Sequence, residues 1–485
     1  MFEEAFPDGH AFLDGTQYNS GFTSILVWDS DEIKVADTVN AFTSGYAYID
    51  GTIDNDAKPA ATDGIALNKF YIDGTDKTKM IVCTAATGCQ SNVGTEDGSK
   101  DDGYYPNSQN KANVITCAAD NGDCTSAAHS ATTAKYYTDG YQSSNLVKCL
   151  TSNGCVEMKG NTTPGYGYLD SVTAGNIIVC REGESGCVTC ASQANGFKTD
   201  HKCAALAETS ATPNTEDGYV YIDGSTTANY PNIIIYSEGE GEEEGIVCTV
   251  EAGATDTEVG YIDATDTTAT KIITCPSGKC ASLDNVSKEA EKGADNTVSK
   301  AAVNIYYING VDKTHIIVCT KKAGCQTIVG SGDEDDTTYF PHPDTTVKDK
   351  IISCENGKEC EAVGHEGKTS SAYYLDGYVP ENILICDATK GCASSLNLAT
   401  DKQPTHYIDS GHLDEPTIIT CTPDQCTSGP GNTDPGTAYL DPIDHKNVVT
   451  CTEEEGCTLD VGAGCKIIRL YILTIRLRYI NGNFK

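Results

Sequence analysis

Large apolar side chains are scarce in this sequence: it has one Trp and three Met in 485 residues. Apolar residues make up 39%, below the roughly 45–50% of ordinary globular chains. Such a chain buries many small clusters more easily than one large core. Basic residues are also few. Lys and Arg number 33 against 70 Asp and Glu, a net charge of −37. That balance argues against nucleic acid, which needs a basic footprint, and against an anionic membrane surface. No run of about 18 apolar residues exists, so no membrane-spanning segment is predicted. The opening "MFEEAFPDGH" lacks the basic and apolar regions of a secretory signal. The expectation is a signal already removed, a fragment, or an incomplete gene model. Catalytic motifs are missing too. There is no G-x-S-x-G, no H-E-x-x-H and no phosphate loop, and the nine histidines share no position in the pattern described below. The chain is therefore expected to be no enzyme, with no cofactor and no metal. Helical periodicity is lacking as well, except near "VSKEAEKGAD" (286–295), where a helix is predicted.

What is abundant is Cys (24), Tyr (26) and Gly (47). The cysteines fall into close pairs: Cys83/Cys89, Cys117/Cys124, Cys149/Cys155, Cys180/Cys187, Cys275/Cys280, Cys319/Cys325, Cys354/Cys360, Cys386/Cys392, Cys421/Cys426 and Cys451/Cys457. This spacing predicts a disulfide framework and an extracellular, oxidising compartment. A further bridge, Cys190/Cys203, is expected, with Cys248 and Cys465 left over.

Each pair belongs to a repeat. An aromatic precedes an Asp-Gly position at Tyr71, Tyr105, Tyr137, Tyr168, Tyr221, Tyr261, Tyr307, Phe340, Tyr374, Tyr407 and Tyr439, mostly 31 to 34 residues apart. A fixed period of this size marks a repeat architecture. The aromatic lies 12 residues before the first cysteine in seven units and 14 before it in three, never 13. Side chains alternate faces along a strand, so a two-residue insertion in the connection keeps the facing that a one-residue slip reverses. The two positions are thus expected on paired strands. "YYID" reads as the first strand and Asp-Gly as a tight turn. "NIIVC" or "HIIVC" reads as a second strand buried on both faces. Gly before the second cysteine is expected at positive φ, and a short third strand follows. "AFLDG" at Phe12 and "AYIDG" at Tyr48 start two cysteine-free units, and Trp28 stands where other units place the first cysteine.

The predicted fold is all-β: an elongated tandem-repeat array, β-solenoid-like, of short strands and hairpins stapled by short-range disulfides. Its expected divisions are 1–69, cysteine-free repeats forming a cap; 70–220, stapled repeats; 221–306, irregular repeats with long spacers; 307–465, stapled repeats; and 466–485, a basic tail. The tail carries Lys466, Arg469, Arg476, Arg478 and Lys485, no acid and no repeat. It reads as translated non-coding sequence, or alternatively as a terminal capping strand.

Each candidate site has a plainer reading beside it. Cys187, Cys190 and Cys203 with His201 have a zinc-like spacing, but Cys187 already completes a repeat pair. Acidic runs at 96–103, 238–245 and 331–338 match no calcium loop and read as solvated linkers. The recurring Asp73, Asp139, Asp223 and Asp376 read as turn formers. In the Tyr-Tyr pairs, neighbours point to opposite faces. Tyr136, Tyr306 and Tyr373 are the candidates for an outward, partner-binding ladder, against the alternative that both members pack between units. Asn161 and Asn285 are glycosylation acceptors.

Tandem "YYxDG", "NIIxC" and "GC" units in a long acidic chain resemble the repeat region of scaffoldins from anaerobic gut fungi, over roughly residues 10–460. The resemblance implies a non-catalytic extracellular scaffold of a fungal cellulosome. Its partners would be dockerin-bearing, secreted plant-cell-wall glycoside hydrolases. It would be secreted, with cell-surface association open. The alternative is a structural or adhesive surface protein that binds polysaccharide.

Overall fold

The computed structural model describes residues 68–190 and 219–460, apart from short connecting segments, together with three strands within residues 10–37. Among the described residues the chain is all-β, with eleven three-stranded antiparallel units from Lys69 onward, one for each predicted repeat, some of them joined by parallel pairing of their first strands. The first is typical. Strand Lys69–Asp73 pairs with Lys79–Thr84, which pairs with Gly88–Val93. Tyr71 faces Ile81 across the ladder, and Cys83 faces Cys89. In units where two more residues separate aromatic and cysteine, the register is the same: Phe340 faces Ile352, Tyr407 faces Ile419 and Tyr261 faces Ile273. The extra residues lengthen only the first connection. Near the N-terminus, strands His10–Leu13, Ser24–Asp29 and Glu32–Asp37 repeat this order. Phe12 faces Leu26 there, which puts Trp28 at the register position of the first cysteine. The unit expected at Tyr48 lies outside the described residues.

Nine disulfides are formed among the described residues, each joining the end of a second strand to the start of the third. They are Cys117–Cys124, Cys149–Cys155, Cys180–Cys187, Cys275–Cys280, Cys319–Cys325, Cys354–Cys360, Cys386–Cys392, Cys421–Cys426 and Cys451–Cys457. Cys83 is disulfide-bonded as well. Closing a loop of about seven residues contributes roughly 2.4 kcal/mol in the chain-entropy account. The glycine before the second cysteine has positive φ at Gly154, Gly186, Gly324, Gly391 and Gly456, as the tight return turn requires. That glycine is not universal. Lys279, Glu359 and Gln425 stand before Cys280, Cys360 and Cys426, and in the first two of these units the positive φ moves back to Gly278 and Gly357. Unit 219–252 departs from the rule altogether. There Tyr236 takes the first cysteine's register position opposite Cys248, a buried thiol whose pKa burial pushes up to about 12. The Cys190/Cys203 bridge, Cys465, Asn285 and the 466–485 tail fall on side chains outside the described residues.

The expected helix at 286–295 is not formed. Lys288 and Val303 exchange backbone hydrogen bonds of 2.8 and 2.9 Å, and Glu291–Lys292 pairs with Val298–Lys300. The segment is a hairpin, because Val298 and Val303 downstream supply a β-favouring partner strand.

The chain forms two compact bodies. One comprises 1–215, 220–252 and 264–267, the other 216–219, 253–263 and 268–485. Each is built alike. The second strand of a unit buries its cysteine-bearing face against the preceding unit and its other face against the next. In the first body, Phe70, Ile72, Met80 and Val82 of one unit meet Tyr105, Ile115 and the Cys117–Cys124 bridge of the next. In the second body, Ile383 meets Tyr407, Ile419 and Cys421–Cys426. The four-residue apolar run is thus buried on both sides, as its composition implied. Each fully buried Ile or Val contributes about 1.5–3 kcal/mol, so one unit's core is too small to stand alone and stacking completes it.

Candidate functional surface: unit junctions and turn tips

Successive units are joined by a recurrent backbone bond. The residue after the turn acid donates its N–H to the first strand of the preceding unit: Gly140 to Tyr104 O (3.1 Å), Ser171 to Tyr136 O (3.0 Å), Gly377 to Tyr339 O (3.1 Å) and Ser410 to Tyr373 O (3.0 Å). The Asp-Gly glycine has a purpose different from the expected one. It is absent from the positive-φ residues. Instead, a Cβ on Gly140 would lie 2.5 Å from the Tyr105 ring, and one on Gly377 would lie 2.8 Å from Phe340. Close approach to the previous unit's aromatic, not turn conformation, requires glycine there.

The Tyr-Tyr pairs form the ring contacts between units. Tyr104 stacks on Tyr137 (centroids 4.9 Å apart). Tilted contacts join Tyr136 to Tyr168 (5.1 Å), Tyr306 to Phe340 (5.5 Å), Tyr339 to Tyr374 (4.7 Å) and Tyr373 to Tyr407 (5.0 Å). This corrects the reading of Tyr136 and Tyr306 as outward residues, since they are 2% and 1% exposed. Tyr373 is half-buried. Offset aromatic contacts add about 0.5–1.5 kcal/mol beyond area burial, so these rings serve as internal mortar.

The bridges are internal too. The second cysteines Cys155, Cys280, Cys325, Cys360 and Cys457 are all buried. They are structural staples and offer a partner neither a thiol nor an exposed sulfur surface.

The recurring acids are turn formers. Asp139 Oδ1 accepts from the backbone N–H of Tyr141 (2.8 Å) and Gln142 (3.2 Å); Asp376 Oδ1 does the same with Tyr378 and Val379, both at 3.0 Å. Asp223 accepts from Ser225 N–H at 2.9 Å. A third-strand serine donates to the other oxygen, from Ser91 to Asp73, Ser282 to Asp263, Ser394 to Asp376 and Ser428 to Asp409.

The serine is not universal: Thr327, Ala362 and Leu459, for example, take its register position, and in one unit the replacement is an acid. Opposite Val147, at the serine position, stands Glu157, buried beside Asp139. Asn68 Nδ2 donates to Glu157 Oε1 at 3.5 Å, and Lys69 is close enough to feel its charge. Burial, and then Asp139, raise the Glu157 carboxyl to about 9; burial raises Asp139 as well. The folded state therefore keeps a proton that the unfolded chain releases above the ordinary Glu value of 4.5. Stability supplied by this pair is present at acid pH, declines as pH rises through that range, and levels off near the folded value. Replacing Glu157 by Ser, as in the units that pair Ser with the turn acid, should flatten this decline and raise the melting temperature at alkaline pH. Melting curves against pH for both proteins check it, and parallel curves would exclude a shared proton.

A further junction position was invisible in the sequence. In several units the residue just after the third strand lies over the next unit's disulfide. At Gly94, Gly160 and Gly330 an added Cβ would lie 2.5, 2.1 and 2.5 Å from a cystine sulfur. His129 and His365 hold the same place, donating their backbone N–H to Ala112 O (2.7 Å) and Asp349 O (3.2 Å) as Gly94 does to Thr78 O (2.9 Å). Two histidines thus do share a repeat position, a correction to the sequence reading. His365 Nε2 lies 2.7 Å from Lys348 O, and its imidazole lies within 4.8 Å of Cys386 and Cys392. Those sulfurs are bonded to each other and so present no thiolate to a metal. In the zinc-like grouping, Cys187 is bonded to Cys180, and His201 and Cys203 lie outside the described residues. Most of the acidic runs lie outside them too. Asn161, a glycosylation acceptor, is half-buried, with Oδ1 accepting from Thr163 N–H at 3.0 Å.

What recurs at the surface is the turn tip two residues after the acid. Tyr141 is 43%, Val172 52% and Ile443 54% exposed; Tyr378 is half-buried against Tyr306. The strings "DGYQ" and "DGYVP" carry this signal, but it is masked by the tyrosine pair just upstream.

No family model matches the chain, and no curated protein is similar to it. Solved structures give distant likenesses. A streptogramin B lyase is 7% identical, covering 62% of this chain and 94% of its own, with a TM-score of 0.12. The GH74 xyloglucanase from Xanthomonas campestris is 10% identical, covering 93% and 73%, with a TM-score of 0.15. The virginiamycin B lyase from Staphylococcus aureus is 9% identical, covering 80% and 94%, with a TM-score of 0.12. At such scores these likenesses carry no argument about fold or activity. The disulfides themselves indicate an oxidising, extracellular environment. Among the described residues no helix is long and apolar enough to cross a membrane.

Proposed function

We propose that the chain is a non-catalytic extracellular scaffold whose repeats hold dockerin-bearing plant-cell-wall hydrolases, as its resemblance to fungal scaffoldins implies. The observation that carries this reading is the reuse of chemically capable groups. The recurring acids are committed to turns and the paired tyrosines to junctions, so what repeats outward among the described residues is a shape, the turn tip. A repeated contact surface suits multivalent display, which raises local enzyme concentration without new chemistry. The elongated, solenoid-like array belongs to this proposal, as does attachment at the cell surface. Aromatics carry interface energy more often than acids do, so the contact residues are assigned to the exposed Tyr141, the half-buried Tyr378 and their equivalents. The net charge of −37 would steer basic partners and make association sensitive to salt.

The test uses the oxidised full chain, immobilised and offered a dockerin-bearing hydrolase or the same hydrolase without its dockerin. The proposal expects retention of the first only, at more than one copy per chain, weakened by Tyr141→Ala with Tyr378→Ala. Retention of neither form overturns it. Binding of the chain to cellulose with no protein partner would favour the adhesive alternative instead.

A further inference from the structure

The first body holds a cleft of about 570 Å³, within the size range of small-molecule sites. Its wall contains Arg181, the sole arginine in residues 1–465. Arg181 follows the first cysteine of its unit. The same place holds Thr84, Ala118, Leu150, Thr320, Asp387 or Thr422 in other units, so the arginine is not part of the repeat. One guanidinium nitrogen, Nη2, is buried and has no hydrogen-bond partner among the described residues. That nitrogen is closed off from solvent, so what the cleft presents to a ligand is the remaining surface of the half-buried Arg181 side chain.

The rest of the wall limits what that ligand can be. Thr162, Thr163 and Thr265 bring hydroxyls, while Pro164 and Val179 bring an apolar surface. Thr265 is fixed in place by Gly165, whose N–H donates to its Oγ1 at 2.7 Å. Thr265 sits at a turn tip two residues after Asp263, so one cleft wall is made from the same position that elsewhere carries Tyr141. A guanidinium fork matches a carboxylate or phosphate in geometry. With one cation in a strongly acidic chain, a single negative charge is compensated and a dianion is not. The cleft is far larger than an inorganic anion, so the bound molecule needs a neutral body. That body must meet hydroxyls on one side and an apolar face on another, which is the surface of a sugar ring.

We propose that this cleft binds an acidic monosaccharide unit, a uronic acid, with its carboxylate on Arg181 and its ring between the threonine hydroxyls and Pro164 and Val179. The inference does not rest on the scaffold reading, and either stands if the other fails.

Calorimetric titration of the oxidised full chain with galacturonate and glucuronate tests it, with glucose, acetate, sulfate and phosphate as comparison ligands. Saturable one-site binding of a uronate is expected, with glucose and acetate much weaker, since each supplies only half of the contacts. Arg181→Gln should lower uronate affinity about tenfold or more, the effect of losing a charge-assisted hydrogen bond. Thr265→Val should weaken it less. Lys390→Gln, which removes an exposed charge elsewhere, should leave it unchanged. Circular dichroism and intact disulfides establish that each variant is folded. Absence of saturable uronate binding by the wild type, equal affinity in folded Arg181→Gln, or tighter binding of sulfate or phosphate than of either uronate overturns the proposal.

Discussion

Reduced with excess dithiol, the chain loses its cooperative thermal transition. Each disulfide contributes roughly 2.4 kcal/mol by closing a short loop. A repeat of 31 to 34 residues has only about 2–5 kcal/mol of stability at ordinary values of 0.05–0.15 kcal/mol per residue. Removing the staple from every unit therefore removes an amount comparable to the whole. The buried positions of the sulfurs increase the loss, because Cys117, Cys149, Cys354 and Cys386 are fully buried core members. Replacing one pair, Cys386 and Cys392, by Ala should be milder: it loosens its own unit and the faces packed on it, as expected where stability is a sum of units and neighbour terms. Calorimetry and circular dichroism with and without reductant measure this. An unshifted transition after complete reduction would mean that packing alone suffices.

The second large effect is expected from Tyr136→Ala. The ring is buried between units, packed on Tyr168, with Lys148 Nζ 5.7 Å from its centroid. Deleting a fully buried aromatic costs about 3–5 kcal/mol, and here the cavity opens at a junction that both neighbours share. The exposed Tyr141, five residues later in the same unit, gives the contrast: Tyr141→Ala should change stability by well under half of that. Urea unfolding of both variants decides the matter. Equal, small losses would return Tyr136 to the surface role first expected of it.

The contrast shows which features were legible in the sequence. Alternation along a strand is local, so the spacing of aromatic and cysteine was enough to put Tyr71 and Cys83 on paired strands and to place Trp28 where other units have the first cysteine. The glycine before the second cysteine was legible because a tight turn makes a local conformational demand. Junction chemistry was not, since it depends on residues one repeat away. Gly140 looked like a turn glycine, yet its neighbour is Tyr105. His129 and His365 seemed scattered because several other units show glycine where they stand. Both members of a Tyr-Tyr pair can be buried only when a unit has neighbours on both faces, a condition that no single repeat displays. Glu157 was overlooked because one substitution in a variable strand carries no period. The cleft beside Arg181 was missed for the same reason.

The most direct measurement is peptide mapping of the protease-digested chain without reduction. Units that each fold around their own bridge should yield short linked peptides: Cys117 with Cys124, Cys149 with Cys155, Cys319 with Cys325, Cys354 with Cys360 and Cys451 with Cys457, and likewise Cys83 with Cys89, which its register opposes. Recovery of most cysteines in peptides that link different repeats would contradict the account.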